Sequence, residues 1–394
     1  MAVEFLHIAD LHLGLRITRF DESVVGKLQE ARFQALENVL NEARNRPTAF
    51  ALIAGDLFDD NSVDLATSER AHNLLNSFPC PVFVLPGNHD PLCAGSVWHR
   101  TPWKHLTSDN TVRVLCERTP VQATVGVTLF PCPVTAKTSH ADPFEWVRPD
   151  GHVAIRIGVG HGSVMDRAQL PEDDHPIPLD TPARRGLDYV ALGHWHSERR
   201  FADDRMAYPG THEQMRFADA GFASGWQAYS SKQLDEFAGA GFGNALRVTI
   251  TAPGAKPEIE SLSVGKFRWR EERREVMNAD DFNRAFAELA QPDTPTERTL
   301  LRVKLTGVLP IEQIARLDGI KAMLSRYVWH DIEHASLSLA PSDSDVAALR
   351  GRGMSGRVLT RIESELASSA DPARKAVLEH ARLVLYRLSK EAEA

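Results

Sequence analysis

The feature that most constrains this chain is a repeated one: a short apolar run of strand character that breaks off into glycine, acid, amide and histidine. "VEFLHIA" (3–9) ends at Asp10, "AFALIAGD" (49–56) at Asp56, and "PVFVLPGNHD" (81–90) at Asn88, His89 and Asp90. Between the first two runs, residues 27–45 carry Leu28, Leu36, Val39, Leu40 and Ala43 as a helical stripe. Residues 64–78 read as a second helix before the third run. Strand, helix, strand, helix, strand predicts a parallel sheet with helices packed on it. Further runs at "VTLFPCPV" (127–134), "AIRIGVGH" (154–161) and "DYVALGH" (188–194) extend the same layered α/β core.

With 394 residues there is room for two or three domains. "NALRVTI" and "EIESLSV" (244–264) suggest a closing hairpin, which gives a first domain over 1–270. After "REVMNADD" helix, strand, helix and strand follow one another, a small α/β unit over 277–341. "PSDSD" marks a linker. Residues 355–394 read as amphipathic helices with Val358, Ile362, Leu366, Val377, Leu383, Leu385 and Leu388 on the apolar side. The Pro-rich acidic stretch 169–180 is a loop, and 218–243, rich in Gly, Ala and aromatics, is an insertion or lid.

A net charge of −8 argues against a simple nucleic-acid-binding module, so any DNA contact needs a local basic face, metal ions or a partner. Four cysteines without a C-x-x-C pair fit a reducing compartment, and a cytoplasmic location is expected. "MAVEFLHIADLHLG" reads as a first strand and not as a signal peptide, and no apolar run reaches the length of a membrane span.

Every chemical motif falls where an expected strand runs into a loop, the edge at which open parallel sheets bind ligands. The motifs are Asp10-Leu11-His12, Gly55-Asp56-Leu57-Phe58-Asp59, Gly87-Asn88-His89-Asp90, Gly160-His161 and Gly193-His194-Trp195-His196. They offer oxygens and imidazoles and no thiolate. That set suits manganese, iron or zinc, with magnesium less natural because of the histidines. Asp56, central and preceded by glycine, is the natural carboxylate to serve two ions. Asp10 and His12, spaced by two, can point to one metal together, and His194 and His196 have the same spacing. Two divalent ions about 3.5–4 Å apart bind a phosphate and lower the pKa of water between them.

"FLHIADLHLG", "AGDLFD", "VLPGNHD" and "YVALGHWH", followed by "YPGT" (208–211), resemble the calcineurin-like metallophosphoesterases. Within them they are most similar to the SbcD-type DNA-repair nucleases. The resemblance covers roughly 1–270 and reaches 277–341 only by architecture, as a capping domain. It implies one ion on Asp10, His12, Asp56 and His196, and a second on Asp56, Asn88, His161 and His194. It implies His89 as the catalytic group over the phosphate, with Asp59 holding its imidazole, and two divalent ions, most naturally Mn2+, with Fe2+, Zn2+ or Mg2+ as alternatives. The implied activity is a two-metal DNA exonuclease or endonuclease in repair or recombination, acting on double-stranded ends or single-stranded DNA. The implied partner is an SbcC-like coiled-coil ATPase docked on 355–394; a homodimer is left open. The rival readings are a phosphodiesterase or phosphatase for small nucleotides or phosphoproteins, and a non-catalytic DNA-end-binding subunit. The extra C-terminal residues weigh against the first, and the cost of burying so many unused polar groups against the second.

Other residues receive plainer readings. His7 is a packed core histidine, and Asp90 caps a turn. His72, His99, His105, His140, His152 and His175 are surface or loop residues. Arg199 and Arg200 are candidates for phosphate contact, His212 a weaker candidate for facing substrate, and "FRWREERRE" (267–275) a solvated face.

Overall fold

A computed structural model describes residues 2–105, 110–149, 154–165, 174–217, 243–290, 295–309, 316–339 and 343–391. The expected insertion at 218–243 lies outside them apart from Gly243, as does His152. The chain forms two compact units, Met1–Arg268 and Trp269–Ala394.

The first unit begins β1 (Val3–Ile8), α1 (Glu22–Asn45), β2 (Ala51–Ala54), α2 (Leu65–Asn76), β3 (Val82–Leu85) and β4 (Val112–Val114). It continues with β5 (Val121–Thr124), β6 (Val127–Pro131), β7 (Ile155–His161), α3 (Thr181–Arg185), β8 (Tyr189–Gly193), β9 (Arg199–Phe201), β10 (Met206–Tyr208), β11 (Asn244–Ile250) and β12 (Glu258–Ser263). These strands make two six-stranded sheets, ordered β12-β11-β1-β2-β3-β4 and β5-β6-β7-β8-β10-β9. In the first, β1 to β4 run parallel, and β11 and β12 close the edge as an antiparallel hairpin. The second sheet is parallel from β6 through β8 to β10.

Strand alternation sorts the core into layers. Leu6, Ile8, Ile53 and Val84 pack with Leu36, Val39 and Leu40 of α1. Phe5, Leu52 and Phe83 point the other way and pack with Ile157, Val159 and Tyr189 of the second sheet. Phe5 and Phe50 stack between the sheets with centroids 4.8 Å apart. A fully buried side chain of this kind contributes about 1.5–3 kcal/mol. The outer face of the second sheet is covered by Phe144 and Leu187 over Val190 and Leu192. The fold is the expected mixed α/β class, with sheets flanked by helices.

In the second unit β13 (Arg268–Val276), which starts on the last residue of the first unit, β14 (Thr299–Leu309) and β15 (Trp329–Leu339) form a sheet with α4 (Ala279–Ala290) and α5 (Leu317–Met323). Its core joins Phe282 and Phe286 to Leu301, Val303 and Ile332. The sheet starts before the expected 277: "FRWREERRE" is its first strand, disguised because only Trp269 and Val276 of β13 are buried. The expected linker at "PSDSD" is also corrected, since α6 (Asp343–Arg350) already begins within it. Then come α7 (Gly353–Ser368) and α8 (Pro372–Glu391). Leu349, Leu359 and Tyr386 form a small cluster among these helices, and Val358, Val377 and Leu388 stay exposed.

Candidate metal centre

Because β1, β2 and β3 are parallel neighbours, their C-terminal loops lie side by side, and β7 and β8 do the same in the second sheet. The backbone locks these loops together. Asp10 N donates to Gly55 O at 3.2 Å, His12 N to Asp56 O at 3.0 Å, and Leu13 N to Leu57 O at 2.9 Å. Four expected ligands occupy left-handed backbone: Asp10 (φ 56°), His12 (44°), Asp56 (54°) and His194 (112°). Each such residue costs on the order of 1–3 kcal/mol and persists only where its surroundings over-determine it.

The glycines before Asp56, Asn88 and His194 have a steric reason. A Cβ on Gly55 would lie 2.1 Å from His161 Nδ1, one on Gly87 2.2 Å from Asp56 Oδ1, and one on Gly193 2.0 Å from Ala54 O. The loops approach so closely that a methyl group would occupy the space of a ligand.

The donor atoms gather in two lobes that share Asp56. In the first, Asp10, His12 and His196 place ligand atoms within 4.8 Å of one another. His12 Nε2 lies 3.1 Å from His196 Nε2 and 3.7 Å from Asp56 Oδ2. In the second, His161 Nε2 lies 3.2 Å from Asp56 Oδ2 and 2.7 Å from Asn88 Oδ1, and His194 Nδ1 is 3.2 Å from the same Asn88 oxygen. Asp10 also reaches Asp56 and His161. Hydrogen bonds behind the rings fix their outlook: His12 Nδ1 donates to Asp59 Oδ1 at 3.1 Å, and His161 Nδ1 to Ala54 O at 2.9 Å. Both rings thereby aim Nε2 at the lobes.

The electrostatics suit cations. Burial pushes the Asp10 carboxyl up to about 7, against the pull of His161. Burial also opposes ionisation of Asp56, but His161, His12 and His89 outweigh it and hold that carboxyl well below the usual range. Burial lowers the His12 and His196 imidazoles, leaving them neutral, the form that ligates a metal. His161 is lifted to about 9 because Asp56 overrides its burial. A proton on His161 Nε2 thus stands where a divalent ion would. Two buried carboxylates converging with neutral imidazoles fit divalent cations by the chemistry of the donors themselves.

All seven expected ligands come together. His89 sits on the rim, its side chain 41% exposed, while its main-chain N donates to Asp56 Oδ1 at 2.9 Å. The expected Asp59 contact differs in kind. His89 Nδ1 donates to the Asp59 carbonyl at 2.8 Å; the Asp59 carboxylate is 3.9 Å away and serves His12 instead. Asp90 does more than cap a turn. Fully buried, it accepts from Gly87 N and from Phe58 N and so ties the third loop to the second.

His7 is a core residue, bonded to Tyr189 Oη and Leu192 O. His212 is buried on Arg32 O rather than facing a substrate, and His175 is a loop residue, as one of its two expected readings has it, but a buried one. Arg200 is engaged by Glu198 and Ser261. Two residues escaped the sequence reading. Buried Arg32 donates Nε to Leu11 O at 2.7 Å and props the strained first loop from below. Asp174 lies 2.9 Å from His194 Nε2.

Loops from two packed sheets that converge oxygens and imidazoles on one shared carboxylate make a site suited to divalent cations. Residues 3–198, a stretch that holds all seven expected ligands, match the family model described as calcineurin-like phosphoesterase. Such domains use divalent metals. The chain is also similar to a protein of Bacillus subtilis (strain 168) described as the uncharacterized metallophosphoesterase YhaO, 24% identical over 231 residues. That match covers 55% of this chain and 55% of the relative, so the chain spans about half the length of the curated relative it matches. Among the described residues no helix is long and apolar enough to cross a membrane.

Proposed function

We propose that this chain is a metal-dependent phosphodiesterase that cleaves DNA, a nuclease of the SbcD type. The observation that carries the hydrolytic reading is the pair of lobes sharing Asp56, with His89 on the open rim above them. Ions held there would supply positive charge to phosphate oxygens and lower the pKa of water at neutral pH. The chain's own residues do the rest. Asp10, His12 and His196 would hold one ion, Asn88, His161 and His194 the other, and Asp56 both. His89, anchored through Nδ1 on the Asp59 carbonyl, keeps Nε2 free to stabilise or protonate the departing oxygen.

Two observations support DNA over a small phosphoester. The motif set resembles the SbcD-type nucleases along 1–270, and a second unit of over a hundred residues, Trp269–Ala394, lies beyond the matched stretch. Manganese is the metal this reading favours. Exposed Val358, Val377 and Leu388 support docking of a coiled-coil ATPase on the C-terminal helices, helix against helix.

The test compares Mn2+-dependent hydrolysis of bis-p-nitrophenyl phosphate, p-nitrophenyl phosphate, linear duplex DNA and single-stranded DNA. Cleavage of the diester dye and of DNA, abolished by chelation, is expected. Preference for the monoester would replace a nuclease by a phosphatase, and inactivity on every substrate would leave a binding subunit.

A further inference from the structure

His194 is held from both sides. Its Nδ1 faces Asn88 Oδ1 at 3.2 Å, inside the second lobe, while Nε2 lies 2.9 Å from Asp174 Oδ2, which is outside both lobes. The same Asp174 oxygen accepts from Ser163 Oγ, and Ser163 Oγ accepts from Trp195 Nε1 at 3.1 Å. The hydrogen bonds therefore have a direction. Trp195 can only donate, so Ser163 turns its hydroxyl proton to Asp174, and the carboxylate accepts from both Ser163 and His194.

The backbone holds Asp174 in register. Ser163 N donates to Asp174 O at 3.1 Å, Ile177 N to Ser163 O at 2.8 Å, and His175 N to Ser139 O at 2.9 Å. Gly162 lets the two segments touch, since a Cβ there would lie 2.3 Å from His175 O. His175 itself takes φ 51°, a further strained position beside the contact.

We propose that Asp174 is a positioning residue for the second lobe: by accepting the Nε2–H of His194 it fixes one tautomer, whose Nδ1 lone pair would serve the ion that Asn88 Oδ1 would also hold. The proposal rests on the metal-centre reading above. The physical reason is that a neutral imidazole carries one proton and one lone pair, so naming the partner of one nitrogen decides what the other can do. A side chain without this brace would divide its time between tautomers and ring flips, and only part of that population could bind a cation.

The test uses full-length protein and two readouts. Mn2+ is titrated calorimetrically into metal-free protein, and the His194 ring is read by 15N–1H NMR before any metal is added. The wild type is expected to show one Nε2–H tautomer and two Mn2+ sites. Asp174→Ala is expected to show mixed tautomers and to weaken one site by roughly 10–100-fold while the other keeps its affinity. Asp174→Asn, which can still accept one bond, should fall between, and it carries the comparison should the alanine variant fail to fold. Unchanged Mn2+ binding at both sites overturns the proposal, with or without a tautomer shift, and so does equal weakening of both. If the wild type binds no second ion the metal-centre reading falls, and the proposal that depends on it falls too. A His194 tautomer that still follows Asp174 would then show that the brace itself exists and that only its purpose was misjudged.

Discussion

Gly87→Ala adds one carbon and removes no ligand, which makes it a sharp probe of the site. The added Cβ would lie 2.2 Å from Asp56 Oδ1 and 2.4 Å from Asp56 N, where ordinary contact begins at 3.4 Å. The carboxylate shared by both lobes must therefore shift by about 1 Å, and because a backbone nitrogen is equally close, rotating the side chain does not relieve the clash. A misplacement of that size in a catalytic array costs roughly 100-fold in rate. Overpacking of a tight site lowers stability by about 1–3 kcal/mol. Hydrolysis of bis-p-nitrophenyl phosphate across a Mn2+ titration is expected to fall by that factor and to need more metal, while a thermal melt shows the protein still folded. Gly26→Ala is the control: Gly26 lies within α1, nothing approaches within 4 Å of its Cβ position, and neither rate nor metal demand should change. Wild-type turnover and metal affinity in Gly87→Ala would falsify the close approach and the bridging role of Asp56 together.

Asp56→Ala should abolish activity and most binding of a second ion; full occupancy by elemental analysis would sink the two-lobe assignment. His89→Ala should keep both ions and lose roughly 10²–10⁴ in turnover, whereas loss of metal along with activity would make His89 a ligand. Burial holds the His7 imidazole down to about 3 in the folded state, against 6.5 when exposed. Between those values the unfolded chain binds the extra proton, so this stability is present above pH 6.5 and drains away as pH falls, by up to about 5 kcal/mol. His7→Gln should therefore show a flatter acid limb in denaturant midpoints between pH 7 and 4, and parallel limbs would refute the assignment.

The strand-end motifs are legible because each sets a donor directly after a buried apolar run, four of the five with a glycine between, an order that survives in one dimension. α1 starts at Glu22 rather than near 27: buried Val24 lies one turn before Leu28, and Gly26 between them disguises that helical spacing. The division into two sheets was hidden: β4, β9 and β10 have three residues each, too few to show alternation. Asp174 sits in "PEDDH", where adjacent acids look alike until the backbone selects one. Arg32 reads as an ordinary helix-surface cation in "QEARF", and only the fold shows it buried beneath the first loop. The resemblance pairs Asp59 with His89, and the motif order alone cannot show that the carbonyl makes that contact while the carboxylate turns to His12.

Each lobe draws on both sheets: Asp10, His12, Asp56 and Asn88 follow strands of the first, His161, His194 and His196 strands of the second. An ion bound in either lobe is therefore a cross-link between layers that apolar packing and a few hydrogen bonds, such as His7 to Leu192 O and His161 to Ala54 O, already join. Binding to the folded form alone adds about 2.7 kcal/mol at an ion concentration 100-fold above Kd. The melting temperature of this unit would then report the supply of divalent ion in its surroundings, and chelation would loosen the seam between the sheets at the edge where their donor loops meet.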